Sequence, residues 1–236
     1  DLTNVVRVDD DLGVRPCSQK GGMTSLRQFT VNAMNHHHGM QATERFGNRW
    51  TAEVDFDEDG YTNELTPADI SALVAWQAGL RMPVQKTPKS DVWSLPLRSL
   101  KFQDPGPFDV AGTLNNGQVK TPAIYNLGLL EWAKKLPRNE KGEVLVPLFG
   151  DLKRHKMTDR RIAALGNELL SQRVVGRDIF ITGELWGGGS TAPYGHRNDF
   201  TTLDAVILAH GGAGRESRDA YEAATDKERS SIIAYL

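Results

Sequence analysis

The sequence holds a single cysteine, Cys17. One thiol cannot close a disulfide within the chain, and it excludes a zinc site built from cysteine pairs. No Cys-x-x-Cys-His segment occurs either, and that is the spacing that attaches a c-type haem. Long apolar runs are missing: nothing approaches the roughly 20 residues needed to span a bilayer. No charged n-region followed by an apolar h-region opens the chain, so no signal peptide is expected. Neither sign of charge dominates. With 28 Lys+Arg against 30 Asp+Glu the formal net charge is -2, which gives no pull towards nucleic acid or an anionic membrane. A Gly-Lys-Ser/Thr end to a Gly-rich loop is absent, which argues against a P-loop, and the lack of Gly-x-Ser-x-Gly leaves a hydrolase elbow unsupported.

What is present fits a globular chain. Its 236 residues, 39% hydrophobic and 25% charged, suffice for one large or two small domains with a proper core. Residues 1–22 read as extended, closed by Gly21-Gly22. A helix is expected from Thr24 to Met40, capped by Thr24 or Ser25, with Leu26, Phe29, Ala33, Met34, His37 and Met40 near one face. Thr66-Pro67 opens a second helix, with Thr66 at the N-cap and Pro67 at the first helical position. Ile70, Leu73, Val74 and Gln77 follow at helical spacing, with Trp76 beside them. Residues 83–122 are Pro/Gly-rich and aperiodic, a length that suggests a functional or wrapping segment. Helices are further expected at 123–135 and from Asp159 to Gln172. Another should run from Thr201 or Thr202 to His210, and the last from Thr225, where Glu228 completes a capping box. The division is 1–82, 83–122 and 123–236 within a single domain, mainly α with long loops.

The most specific local motif is Asp55-Phe-Asp57-Glu-Asp59-Gly60-Tyr61-Thr-Asn63-Glu64. Oxygen ligands at alternating positions, with Gly at the sharp turn, match the first half of a calcium loop. Asp55, Asp57 and Asp59 would supply carboxylates and Tyr61 a backbone carbonyl. The usual twelfth-position Glu is replaced by Thr66, so Glu64 would close a shortened loop. The competing reading is a solvated acidic turn before a helix, where carboxylates favour the N-terminal dipole. The run His36-His37-His38 offers imidazoles, but consecutive helical residues point roughly 100° apart and cannot all reach one metal. His196 and His210 are each candidates for ligand, acid/base or structural hydrogen-bonder. Cys17 reads as a small, partly buried residue.

The tail from Leu185-Trp186-Gly-Gly-Gly-Ser through Pro193-Tyr194-Gly-His196-Arg-Asn-Asp and Leu203-Asp204-Ala-Val-Ile-Leu-Ala-His210-Gly-Gly to Arg218 resembles the closing region of bacterial di-haem oxidoreductases, relatives of the di-haem cytochrome c peroxidases. Val14-Arg15-Pro16, Leu26-Arg27-Gln28-Phe29, His37-His38-Gly39-Met40-Gln41, the acidic loop and Asp151-Leu-Lys-Arg-His155-Lys-Met157 agree in order. The pattern departs where His196 is followed by Arg197-Asn198 and where Ala213-Gly214 replaces Glu-Ala. The resemblance implies a degenerate cytochrome c-like domain, the C-terminal half of such a protein, in a periplasmic or other extracytoplasmic setting. The haem segment expected between the Trp76 helix and Leu95-Pro96-Leu97 is missing. By resemblance His37, His38, His155, Met157 and His196 become candidates to lie near a haem. Three functions follow as expectations. One is a haem-free, calcium-binding accessory subunit that docks on a larger redox or membrane-associated complex. Another is an electron-transfer or peroxidase-type protein holding haem without covalent links, and the third is a zinc or copper module built on the histidines.

Overall fold

The computed structural model describes residues 17–82, 94–106, 123–148, 150, 153–166, 175–183 and 185–236. Val14-Arg15-Pro16, Asp151-Leu152, most of the extended stretch at 83–122 and the end of the helix expected at 159–172 lie outside these residues. Among the described residues helices outweigh strands, and the strands pair in two-stranded sheets. The chain divides into two units. One comprises Asp1–Gly22, Met82–Leu95 and Leu145–Leu236; the other comprises Met23–Arg81 and Pro96–Val144. Strands β1 (Ser94–Leu97) and β4 (Val144–Pro147) fall where the chain passes from one to the other.

The second of these units is built on helices α1 (Leu26–His38) and α3 (Pro67–Gly79), with a short helix α2 (Asn48–Thr51) between them. Ser25 caps α1 by accepting from Gln28 N–H, and Gly39 ends it in the left-handed region at φ 68°, where its own N–H reaches the carbonyl of Asn35. Thr66 and Asp69 form a reciprocal capping box with Pro67 at the first helical position. Val31, Ala42, Leu65, Ile70 and Val74 make the core, with Leu26, Met34, Met40, Leu73 and Phe102 packed on it. Burying an Ile or Val side chain of this kind contributes about 1.5–3 kcal/mol. The buried side of α1 is Arg27, Thr30 and Val31, a stripe rotated from the apolar one that hydrophobicity alone selects. Trp76 stands 64% exposed on the far side of α3.

Two expectations for this unit change. Part of 83–122 is regular: β2 (Lys101–Asp104) pairs antiparallel with β3 (Ala123–Asn126), and Phe102 opposite Tyr125 brings their rings to 6.0 Å. The helix expected at 123–135 starts as that strand. It continues as a 3-10 turn over Leu127–Leu129 and becomes α-helical only in α4 (Glu131–Lys134). Cross-strand pairing of aromatic and β-branched residues overrides the weak helical spacing here.

The first unit contains β5 (Arg154–Lys156), paired antiparallel with β6 (Ile179–Ile181), and helices α5 (Leu203–Leu208), α6 (Arg215–Ala223) and α7 (Asp226–Tyr235). Thr202 caps α5 and Thr225 with Glu228 boxes α7. Tyr221 of α6 donates to Asp204 of α5 at 2.8 Å. Burial and this carboxylate both raise the Tyr221 pKa. The described start of the stretch at 159–172 is not α-helical. Asp159 accepts from the backbone N–H of Arg161 and Ile162, which ties the chain into a turn, and only a 3-10 helix at Ala164–Gly166 follows. A short acidic side chain here outcompetes the helical ladder for its own backbone donors.

Candidate metal centre

The acidic loop sits between α2 and α3 and is held by its own backbone bonds. Asp55 Oδ2 accepts from Gly60 N–H at 3.0 Å, and Asp59 Oδ1 accepts from Tyr61 N–H at 2.8 Å. Gly60 lies at φ 91° and Glu58 at φ 59°, so the sharp reversal uses the left-handed region twice. The Phe56 ring meets Phe46 at 6.1 Å and anchors the loop to the body of its unit. Asp55, Asp57 and Asp59 each present one oxygen, and all three oxygens fall within 4.8 Å of one another. Calcium takes oxygens at about 2.3–2.6 Å, so two oxygens on one ion stand at most about 5 Å apart. The cluster meets that limit. Among the described residues no cation pairs with these three carboxylates. Asp55 Oδ1 is sealed from solvent and has no hydrogen-bond donor among them. A buried carboxylate oxygen without a donor is costly unless a cation completes it.

Tyr61 is 71% exposed, which places its ring in solvent and leaves its carbonyl as the candidate ligand. Glu64 carries a bond outside the loop. Its Oε2 accepts the Gln41 N–H at 2.8 Å, so the carboxylate points at the segment that follows α1. Asn63, at φ 56°, turns the chain just before it. Gln41, Thr43, Phe46, Tyr61, Asn63 and Glu64 line a shallow cleft at the foot of the loop, and the buried Gln41 amide there has no partner for Nε2 among the described residues.

Among the described residues no histidine joins a group of three or more candidate metal ligands. His36, His37 and His38 are exposed at the C-terminal end of α1. His155 lies on β5 opposite Phe180 of β6, and the His196 ring packs tilted against Phe180 at 4.6 Å between centroids. Met157 is half-buried just after β5 and hydrogen-bonds through its backbone to Asp178. His210 is tied by Nδ1 to the Val206 carbonyl at 2.7 Å, a local helical contact. His37 and His38 thus belong to one unit, and His155, Met157 and His196 to the other. Among the described residues the only group of metal-binding side chains is the aspartate triad. The Cys17 side chain is half-buried.

Several residues that structure their units give no signal of it in sequence. Arg27, 1% exposed, donates to Glu44 from Nε at 2.9 Å and from Nη2 at 2.6 Å, and to Asp104 from Nη1 at 3.0 Å. It also reaches Ser71 Oγ and the Pro67 carbonyl at the start of α3. Lys20, equally buried, gives its ammonium to the carbonyls of Gly176, Arg177 and Ile179 and lies 3.9 Å over the Phe180 ring. Asp159 accepts from Arg215 and from the N–H groups of Gly212 and Ile162, which hold its carboxyl well below the usual range. The His210-Gly211-Gly212 turn thereby docks on 156–162. A Cβ on Gly212 would come within 2.2 Å of the Lys156 carbonyl and one on Gly211 within 2.6 Å of that of Ile162, so only glycine fits. No family model, no curated protein and no solved structure matches the chain.

Proposed function

We propose that this chain is a calcium-stabilised structural or accessory subunit, derived from a di-haem oxidoreductase and free of covalent haem. The observation that carries the proposal is the Asp55–Asp57–Asp59 triad, with one oxygen of each within the span of one calcium ion, beside a buried Asp55 oxygen that has no donor among the described residues. Asp55, Asp57 and Asp59 would hold the ion, helped by the Tyr61 carbonyl. Bound there, the ion supplies charge neutralisation and cross-links the loop ahead of α3. The cytochrome c-like ancestry, the extracytoplasmic setting and the docking on a larger redox complex rest on the resemblance of the sequence segments. The absence of any Cys-x-x-Cys-His segment supports the haem-free part of the reading. No helix among the described residues is long and apolar enough to cross a membrane.

Two measurements test it. Calorimetric titration of chelator-treated protein with calcium should give one site, in the range of about 10⁻⁴–10⁻³ M typical of extracellular modules. Asp57→Asn should weaken it at least about tenfold, since a ligand charge is lost. No saturable heat, or an Asp57→Asn variant that binds as well, removes the calcium reading. A pyridine haemochrome assay on natively purified protein should be flat. A stoichiometric haem signal would overturn the accessory-subunit reading and point to His155, Met157 and His196.

A further inference from the structure

We infer that Glu64 is a positioning strut, not an ion ligand, and that it couples occupancy of the acidic loop to order in the segment after α1. The carboxylate sits where a shortened calcium loop would close. Its Oε2 is instead committed to the Gln41 N–H at 2.8 Å. The same two stretches are stitched further along. Leu65 N–H reaches the Gln41 carbonyl at 3.3 Å, Thr43 N–H reaches the Leu65 carbonyl at 2.9 Å, and Ala42 and Leu65 form a parallel bridge. Ala42 and Leu65 are core residues, so the stitched strap is fixed on its inner side. Upstream the strap leaves α1 through Gly39 and Met40, whose N–H groups return to the carbonyls of Asn35 and Met34.

The bond is therefore the first crosslink between the exit of the acidic loop and the end of α1. An ion that fixes Asp55, Asp57 and Asp59 also narrows the conformations open to Asn63 and Glu64 a few residues on. Glu64 passes that restriction to Gln41. Linkage makes the effect reciprocal: loosening the strut must weaken ion binding by the factor by which the ion tightens the strap. The coupling half of this inference rests on the calcium reading above, whereas the strut half stands without it.

The experiment compares wild type, Glu64→Gln and Glu64→Ala. Calcium affinity is read by calorimetry, and exchange of the Gln41 backbone amide is read by NMR, in chelator and in calcium. Gln keeps an acceptor oxygen for Gln41 N–H but is a poorer calcium ligand than Glu. A strut predicts Glu64→Gln within about threefold of wild type in both readouts. Glu64→Ala should exchange the Gln41 amide at least about tenfold faster, even in chelator, and bind calcium correspondingly more weakly. Calcium should slow that amide in wild type and not in Glu64→Ala. If Glu64→Gln loses as much affinity as Asp57→Asn, Glu64 is a ligand and the inference is wrong. If Gln41 exchange is indifferent to Glu64→Ala, the strut does not exist. If wild type binds no calcium but Glu64→Ala still speeds exchange, the calcium reading and the coupling fail while the strut survives.

Discussion

Arg27 and Asp159 show how single charged residues organise their surroundings. Arg27 is buried among Glu44, Asp104, Ser71 and the Pro67 carbonyl, so one guanidinium joins α1 to the start of α3 and the end of β2. Arg suits this role because its planar fork can serve two carboxylates at once. Arg27→Met should cost about 3–5 kcal/mol in urea unfolding, because Glu44 and Asp104 would remain buried without a cation. A cost within that of an ordinary surface substitution would show that the network relaxes. At Asp159 the direction of the pKa shift fixes a pH dependence. Arg215 first, then the Gly212 and Ile162 amides, hold its folded pKa well below the ordinary carboxylate range. A depressed carboxylate contributes stability that is present above the unfolded value and is lost as pH falls through the folded one. Asp159→Asn should therefore lower the unfolding midpoint at pH 7, and the gap to wild type should close as pH is taken below about 4. A gap that stays constant to pH 2 would contradict this assignment. Neither role can be read from sequence: Arg27 looks like any polar helical residue, and Asp159 like the start of a helix.

Elements whose signals are local matched their expectations. The Thr66 and Thr225 caps depend on residues three apart, so spacing alone places them. At the first box the Thr66 hydroxyl and N–H both lower the Asp69 pKa, and at the second Thr225 does the same to Glu228. Thr66→Ala should lower stability by about 1 kcal/mol, read as a shift of the thermal midpoint. That shift should be present at pH 7 and shrink below the ordinary range of Asp, since the lowered Asp69 pKa has the same sign as that of Asp159. A midpoint unmoved at pH 7 would mean that Pro67 alone starts α3. Elements whose partners are distant were misread. β3 gained strand geometry from β2 across a long sequence gap, and the 159–166 stretch lost its helix to Asp159, whose other partners Gly212 and Arg215 lie far along the chain. The amphipathic face of α1 was rotated for the same reason: Arg27 and Thr30 become inward residues once Glu44, Asp104 and Gln77 supply partners.

For the whole molecule, composition set the outer limits. Within its 236 residues one cysteine closes no intrachain disulfide and no Cys-x-x-Cys-His segment occurs, and no apolar run reaches the length of a membrane-spanning helix. The sequence also located the aspartate triad, because a calcium loop gathers its ligands within one short segment and alternation with a glycine turn is visible in one dimension. Its residues do converge in space. What the sequence could not decide is which way Glu64 turns, since that depends on Gln41 across the loop, 23 residues upstream. Nor could it decide the company of the histidines. Imidazoles carry no information about their neighbours, and tertiary structure sent His36–His38 to solvent, His196 onto Phe180 and His210 to its own helix. Local caps, turns and a contiguous acidic loop are set by short-range sterics and hydrogen bonds, so sequence determined them. Buried polar networks and strand pairing are set by desolvation and by partners brought together only when the chain packs, and tertiary structure alone decided those.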